Sequence, residues 1–459
     1  FFAGHLLLIA IINDGKNSFG GFPMKLLPYM TSFVKDAAKA VKRITQAEFT
    51  SVADDTLTKL LGIATLYVTM YALHREGDED VLHLRCAHRE EIALCTHCKA
   101  LSTHVHQEEP RCVRHLDVWG KKTFLHFLSR RFKCDQCGKV FTEELPFSDS
   151  HRRQSKAFEM HVYQSCLTST RKAVAVREGL SQSTVKEIFN RLSALKKSFG
   201  ANDTIQVLGI DEISLKKRHK QFVLIISDIS RKCILAVLPD REKQTLESWI
   251  ESLSPQQRKA IRFVSIDMWR PYYHTVRENL PRAKVVVDRF HVMKQLNTRL
   301  TQLRTKYQKQ CDPEKQKILK GSRWIIVRNR SELSRKQSDQ LDQILELCPE
   351  LRTMYLLKEE FRTIFEKVKC RDKAALFLDA WYLKAARTGD KYLAKFLITF
   401  RNWRSQILNY FIERITNGFV EGTNNSLRAI IRMAFGYRNF HNFRLRALAG
   451  FSEFHTNPR

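Results

Sequence analysis

Two hydrophobic rhythms divide this chain. Between residues 203 and 295 the apolar positions fall in short β-branched runs. IQVLGI, QFVLIISDI and KCILAVLP predict three successive strands, and IRFVSI and AKVVV predict two more. TLESWIESL and YYHTVREN, between them, carry helical spacing, and a long helix begins near His291. Three strands followed by alternating helix and strand predict a mixed α/β sheet covered on both faces. Residues 296–410 break that rhythm: they are rich in Lys, Arg, Gln and Leu with almost no strand signal, and predict an all-helical insertion. Residues 411–459 predict one or two further helices and a basic tail.

The N-terminal third is more varied. Residues 1–79 read as an extension followed by a mainly helical segment without a motif. In residues 80–148, runs such as VLHLRC and FLHFLSRRFKC alternate with polar turns, and residues 149–202 are helical again. The opening FFAGHLLLIAII is apolar but short, and without a basic leader or small-residue cleavage site it fits a signal peptide poorly. Met24 opens a normal-looking start, MKLLPYM, and residues 1–23 are given no function. No uninterrupted apolar run reaches the roughly 18 residues of a spanning helix, so no membrane partner is expected.

Charge narrows the picture. The chain has 459 residues, with 78 Lys plus Arg against 48 Asp plus Glu, a net charge of +30. That length predicts several domains, and that excess predicts a polyanionic partner, of which nucleic acid is the commonest. The 11 cysteines, an odd number without a secretory signal, suit a reducing cytosol.

Four of those cysteines form two close pairs, Cys95 and Cys98 in CTHC and Cys134 and Cys137 in CDQC. Two intervening residues let both thiolates of a pair approach one ion from a tight knuckle, and two knuckles make a tetrahedral structural zinc site. His97, His104, His106 and Cys112 lie close enough in sequence to exchange for one ligand. A closed four-ligand site has no open position for catalysis, so a fold-holding, DNA-contacting module is expected.

RKAVAVREGLSQSTVKEIFNRL, residues 171–192, predicts a helix ending at Gly179 and a second helix capped by Ser181, with Val185, Ile188 and Phe189 inward. That is the helix-turn-helix pattern, and Gln182, Ser183, Thr184 and Lys186 would face base edges. An ordinary helical hairpin would show the same spacing.

Two strands end on an acid: LGID on Asp211 and VSID on Asp267. The strand order predicted above sets the first strand centrally with the Asp267 strand beside it. Neighbouring carboxylates at strand ends suit a divalent metal with oxygen ligands. Asp288, in DRFHV, also ends a strand and rivals Asp267, but its strand is expected one place further out. A third acid is available in ITNGFVEGTNNSLRAIIRMAFGYRNF, where Asn417, Glu421, Asn424, Asn425, Arg428 and Arg432 share one helical face. Glu421 is expected as the metal ligand there, flanked by phosphate and base contacts. Trp269, just past Asp267, suits either a stacked base or a core position; the insertion is expected to offer a basic surface to DNA, with Trp324, Trp381 and Trp403 as its aromatic candidates, most of them expected in the core.

LGIDEISL, VSIDMW, VVVDRFHV, NGFVEGTNNSLR and FGYRNF together resemble the insertion-sequence transposases of the ISL-three family, over roughly residues 55–450. The resemblance implies a multidomain α/β protein: a zinc ribbon, a helix-turn-helix and an RNase H-like core with a helical insertion. It implies that Asp211, Asp267 and Glu421 hold Mg²⁺ or Mn²⁺ as a DDE triad for DNA cleavage and strand transfer. It further implies binding to double-stranded DNA at the element's ends, as a homodimer, in a bacterial cytoplasm at the nucleoid. His291 and Lys294, on the helix after DRFHV, are expected at the DNA or just behind the metal site. The rival readings are a structure-specific nuclease of the same fold and a DNA-binding regulator without catalysis.

Overall fold

The computed structural model of this chain describes residues 50–51, 56–194, 203–216 and 221–451. The opening extension and the start at Met24 lie outside the described residues. The chain divides into two compact units between His161 and Val162.

The first unit holds β1 (Thr50–Ser51), α1 (Thr56–Leu61), β2 (Leu66–Glu76), β3 (Glu79–His88), β4 (Ala93–Leu94), β5 (Leu101–Ser102), β6 (Val105–Val118), β7 (Lys121–Lys133) and β8 (Val140–Thr142). Its main sheet runs β1-β2-β3-β7-β6, with β8 on β7, and β4 pairs β5 separately. Leu66, Val68, Leu84, Val113, Leu125 and Phe127 form its core. One expectation is corrected here. Residues 66–76, expected to be helical, form a strand. β3 pairs antiparallel with it from Leu66 against His88 to Glu76 against Glu79, with a bulge between Val68 and Met70. The β-branched Val68 and Thr69 between Tyr67 and Tyr71 favour that extended backbone.

Helix α2 (Lys156–Thr168) crosses into the second unit. There follow α3 (Arg171–Glu178), α4 (Gln182–Ala194), β9 (Val207–Lys216), β10 (Gln221–Asp228), β11 (Cys233–Leu238), α5 (Lys243–Glu251), α6 (Pro255–Ala260), β12 (Phe263–Ile266), α7 (Arg270–Asn279) and β13 (Lys284–Val287). Then come only helices: α8 (Arg289–Gln310), α9 (Pro313–Leu319), α10 (Arg323–Val327), α11 (Arg335–Leu347), α12 (Pro349–Lys367), α13 (Arg371–Ala386), α14 (Lys391–Glu413), α15 (Gly418–Met433) and α16 (Phe440–Phe451), with a 3₁₀ turn at Arg330–Glu332.

The sheet order is β11-β10-β9-β12-β13, antiparallel through the first three strands and parallel through the last pairs. This is an RNase H-like mixed sheet, and its two faces are buried by different helices. Leu208, Ile210 and Leu224 pack with Leu246 of α5 and Val276 of α7. Ile213, Val223 and Ile225 pack with Leu427 of α15 and Phe443 of α16. The helical insertion shares the first core: α8 runs unbroken from β13 into it, and Asn409 of α14 donates to the Val285 carbonyl of β13 at 2.8 Å. Trp381 and Trp403 are buried there as expected, but Trp324 is 65% exposed.

Candidate active site and DNA-reading elements

The cysteine knuckles are near copies. In one, the Lys99 N–H donates to the Cys95 carbonyl at 2.9 Å and the Cys95 N–H to Ala100 at 2.8 Å. In the other, Gly138 donates to Cys134 at 2.9 Å and Cys134 to Lys139 at 2.9 Å. Each turn closes on a left-handed residue, Lys99 (φ 58°) and Gly138 (φ 69°). The four Sγ atoms lie within 4.8 Å of one another, among the described residues the one such group of three or more Cys, His or acidic donors. The neighbouring histidines and Cys112 do not join it. Four thiolates at this spacing are a structural zinc donor set, and the N–H of Cys137, 3.4 Å from Cys134 Sγ, helps hold that thiol well below its ordinary range.

Helices α3 and α4 meet at Gly179, whose φ of 66° makes the left-handed turn. Ser181 Oγ accepts the Thr184 N–H at 3.0 Å, the cap that the sequence pattern requires. Val185, Ile188 and Phe189 are buried, and Phe189 stacks on Tyr163 of α2 with centroids 5.4 Å apart. Gln182, Ser183 and Lys186 are exposed on the first turns of α4, with Thr184 partly so.

Asp211 is not at a strand tip. It sits inside β9, opposite Ile225 of β10, because the alternating EISLK that follows keeps pairing with β10. β12 is short, and its ladder with β9 stops at Ser265 against Gly209. Continuing that parallel register sets Asp267 level with Asp211. β13 is level in turn, Ile266 against Val287, which puts Asp288 beside Asp267 but one strand further from Asp211.

Burial and the Asp267 charge push Asp211 up to about 6. Two lines of support hold it in place. Its Oδ1 accepts the Glu212 N–H at 2.7 Å, and its Oδ2 accepts from Asn424 Nδ2 of α15. Gly209 permits this approach: a Cβ there would meet Val420 of α15 at 3.0 Å and Ile229 at 3.1 Å. Glu421 is half-buried, one turn before Asn424 and at the helical spacing of Asn425, Arg428 and Arg432. The expected polar face of α15 is therefore split. Asn417 and Asn424 are buried, whereas Asn425, Arg428 and Arg432 are exposed. The Arg428 charge reaches Asp211.

His291 Nδ1 lies 2.6 Å from Asp267 and 3.2 Å from Asp288, so its ring serves those acids. Burial pulls the imidazole down, but the two carboxylates outweigh it and hold it protonated, up to about 10. Asp288 is buried and caps α8 through the Phe290 N–H at 3.3 Å. A cavity of about 420 Å³ opens here, lined by Glu212, Asp267, Trp269, Tyr272, His291 and Lys294 among others. Trp269 is 45% exposed, which answers the choice between core and surface for that ring. Sequence reasoning missed the support behind it. Glu212 accepts from the Tyr272 hydroxyl at 3.3 Å and lies 3.4 Å from Arg241, whose guanidinium covers Phe222 at 4.4 Å and Trp269 at 5.5 Å. The Asp-Glu pair within LGIDEISL was the available signal, because strand alternation sends the two acids to opposite faces.

The residues present fit a divalent cation. The Asp267 charge bears on the buried Asp211 carboxylate, and a cation between such oxygen donors relieves that repulsion; among the described residues no third acid comes within 4.8 Å of both. An RNase H-like sheet with acids at this level, preceded by a helix-turn-helix and a four-cysteine ribbon, defines a protein that binds and processes DNA. Comparison with known families is consistent with that class. The transposase profile of the ISL3 DDE type matches residues 208–447, the helix-turn-helix domain of transposase family ISL3 matches 143–193, and the zinc finger of the IS204/IS1001/IS1096/IS1165 transposases matches 93–137. The chain belongs to the ISL3 transposases. It is 29% identical to the transposase for insertion sequence element IS1001 of Bordetella parapertussis, over 78% of this chain and 89% of that one. It is 27% identical to the transposase for insertion sequence element IS1557 of Mycobacterium tuberculosis, over 71% of this chain and 78% of that one. No helix among the described residues is long and apolar enough to cross a membrane.

Proposed function

We propose that this transposase binds the terminal inverted repeats of its own insertion sequence and cuts and joins DNA, with Asp211, Asp267 and Glu421 as ligands for Mg²⁺ or Mn²⁺. The observation that carries this reading is the level placement of Asp211 and Asp267 on neighbouring strands, with Asn424, from the helix that bears Glu421, bonded to Asp211. Divalent metal bound there supplies Lewis acidity at the scissile phosphate and a stronger oxygen nucleophile. The chain's own residues do the positioning. Asn424 and the Glu212 N–H fix the Asp211 carboxylate, and the protonated His291 fixes Asp267. Arg428, Arg432 and Asn425 take phosphates along the exposed side of α15. Trp269 offers its ring to a base beside the cut, with Lys294 at the adjoining backbone. Gln182, Ser183, Thr184 and Lys186 read base edges in the major groove, and the zinc ribbon adds a second hold on DNA.

Two ends must be held together for joining, so the working unit on DNA is a homodimer, acting in the bacterial cytoplasm at the nucleoid. The domain limits that serve this scheme are 80–148 for the ribbon, 149–202 for the helix-turn-helix, and 203–295 with 411–459 for the core around the 296–410 insertion. The test is strand transfer with labelled element ends. Wild-type protein joins them only with Mg²⁺ or Mn²⁺, and Glu421→Gln binds the ends without joining. Cutting without joining would make the protein a nuclease. Tight binding without cutting in any metal would make it a regulator.

A further inference from the structure

From the cavity at Asp267 a second, larger depression of about 810 Å³ runs along α8. Lys294 and Thr298 line both, so the two are continuous. Its floor is one face of that helix: Phe290, Lys294, Asn297, Thr301, Thr305 and Lys309 follow at steps of three and four. At about 1.5 Å per residue the face is roughly 28 Å long. Lys306 and Lys309 from α8, Arg323 from α10 and Lys395 from α14 join Lys294 around it, and no carboxylate is among the lining residues.

Aromatic rings stand among these cations. Trp324 is 65% exposed and Phe290 47%, and Tyr392 lines the same wall. Each of the first two has a cation over its ring: Arg323 is 5.0 Å from the centre of Trp324, and Lys294 is 6.0 Å from that of Phe290. A ring for a base face next to a cation for a phosphate is the combination that single strands use. In a duplex the base faces are already stacked on one another and give a protein ring nothing to cover. Trp381 and Trp403 of the same helical region are buried, so exposure of Trp324 is not the habit of this insertion's tryptophans.

We propose that this groove is a binding track for single-stranded DNA, with Trp324 and Phe290 as stacking platforms and Lys294, Lys306, Lys309, Arg323 and Lys395 along the phosphates. It rests on the reading above for the origin of the strand, which is the one freed beside the cut at Asp267.

The test uses the full-length chain and a fluorescent oligothymidine, which cannot pair with itself, in buffer without added Mg²⁺ or Mn²⁺. Anisotropy gives its affinity across a salt series, with a duplex of the same length beside it. Trp324→Ala is expected to weaken the oligothymidine about tenfold while the duplex changes less than twofold, and Trp324→Phe is expected to recover most of the loss. Lys306→Ala with Lys309→Ala is expected to lower the single-strand salt slope by about 0.7 for each lysine removed. Unchanged oligothymidine binding in Trp324→Ala, or equal weakening of strand and duplex, would overturn the proposal. Trp324 and Lys309 are exposed and Lys306 partly so, and thermal melting checks that each variant folds. The assay requires no cleavage. A protein that binds the strand through Trp324 but never cuts would sink the metal chemistry and leave the groove intact, and the reverse result would do the opposite.

Discussion

The four-cysteine site and the proposed carboxylate site draw their donors by opposite means. In the first, two short knuckles supply everything, each closed by its own backbone hydrogen bonds, and the four sulfurs converge within 4.8 Å. In the proposed second, Asp211 lies in β9, Asp267 follows the neighbouring β12 and Glu421 is on α15, more than 150 residues later, with Asn424 of α15 bonded to Asp211. In that proposal a sheet register and one close helix crossing would do the assembling. A locally built site ought to fail locally when a ligand is lost. A site built by packing ought to fail when the packing moves, even if every ligand remains.

The largest expected effect is on the closed site. Cys134→Ser should abolish zinc retention, since structural zinc in comparable small sites is worth on the order of 10 kcal/mol. The damage should stop near residues 93–142, because Ala93, Cys95, Phe132, Cys134 and Phe141 form a cluster separate from the sheet core of Leu84, Val113 and Leu125. Zinc stoichiometry with hydrogen exchange reads both, and loss of protection throughout β2 and β3 would show that the knuckles hold more than themselves.

Next in size is Asp211→Asn, where activity and stability should part. Joining of DNA ends should fall by at least about a hundredfold, the scale of losing one well-placed charged group. The fold should gain about 1 kcal/mol without metal, because a buried carboxylate beside Asp267 is removed. Asn424 Oδ1 is buried without a hydrogen-bond partner, so a flip of that amide can receive the new Asn. The sign follows from the shift: Asp211 is pushed up to about 6, so its charge costs the folded state as pH rises through that value. The gain should therefore be present at pH 8 and gone below about pH 4 in thermal melts.

Gly209→Ala tests assembly by packing, since no candidate ligand changes. The new methyl would press Val420 at 3.0 Å and Ile229 at 3.1 Å. A cost of about 1–3 kcal/mol is expected, with a larger proportional loss of joining as Glu421 and Asn424 move. Equal effects on melting and joining would argue that the crossing serves stability alone. Smallest is Ser181→Ala, which removes the cap on α4 and should cost about 1 kcal/mol. Gln182→Ala beside it should leave melting unchanged and weaken only end binding.

The two sites were legible to different degrees for the same reason that they fail differently. Cys95, Cys98, Cys134 and Cys137 announce themselves because spacing alone constrains a knuckle. The Gly179 turn and Ser181 cap were legible because local rules set them. The strand order that brings Asp267 beside Asp211 followed from run lengths and connection types. Other features are tertiary. The extension of β9 past Asp211 depends on β10, and the strand at Leu66–Glu76 depends on β3. The burial of Asn424 depends on a strand 213 residues away. Trp324 could be told from Trp381 and Trp403 only after the helices had packed.

The most direct measurement of the central claim is divalent-ion binding at the acids, counted by the loss of free Mn²⁺ signal in electron paramagnetic resonance with the zinc site filled. Wild-type protein should take up Mn²⁺, and Asp211→Asn and Asp267→Asn should each lose it while keeping their zinc. Undiminished Mn²⁺ uptake in both variants would contradict the account.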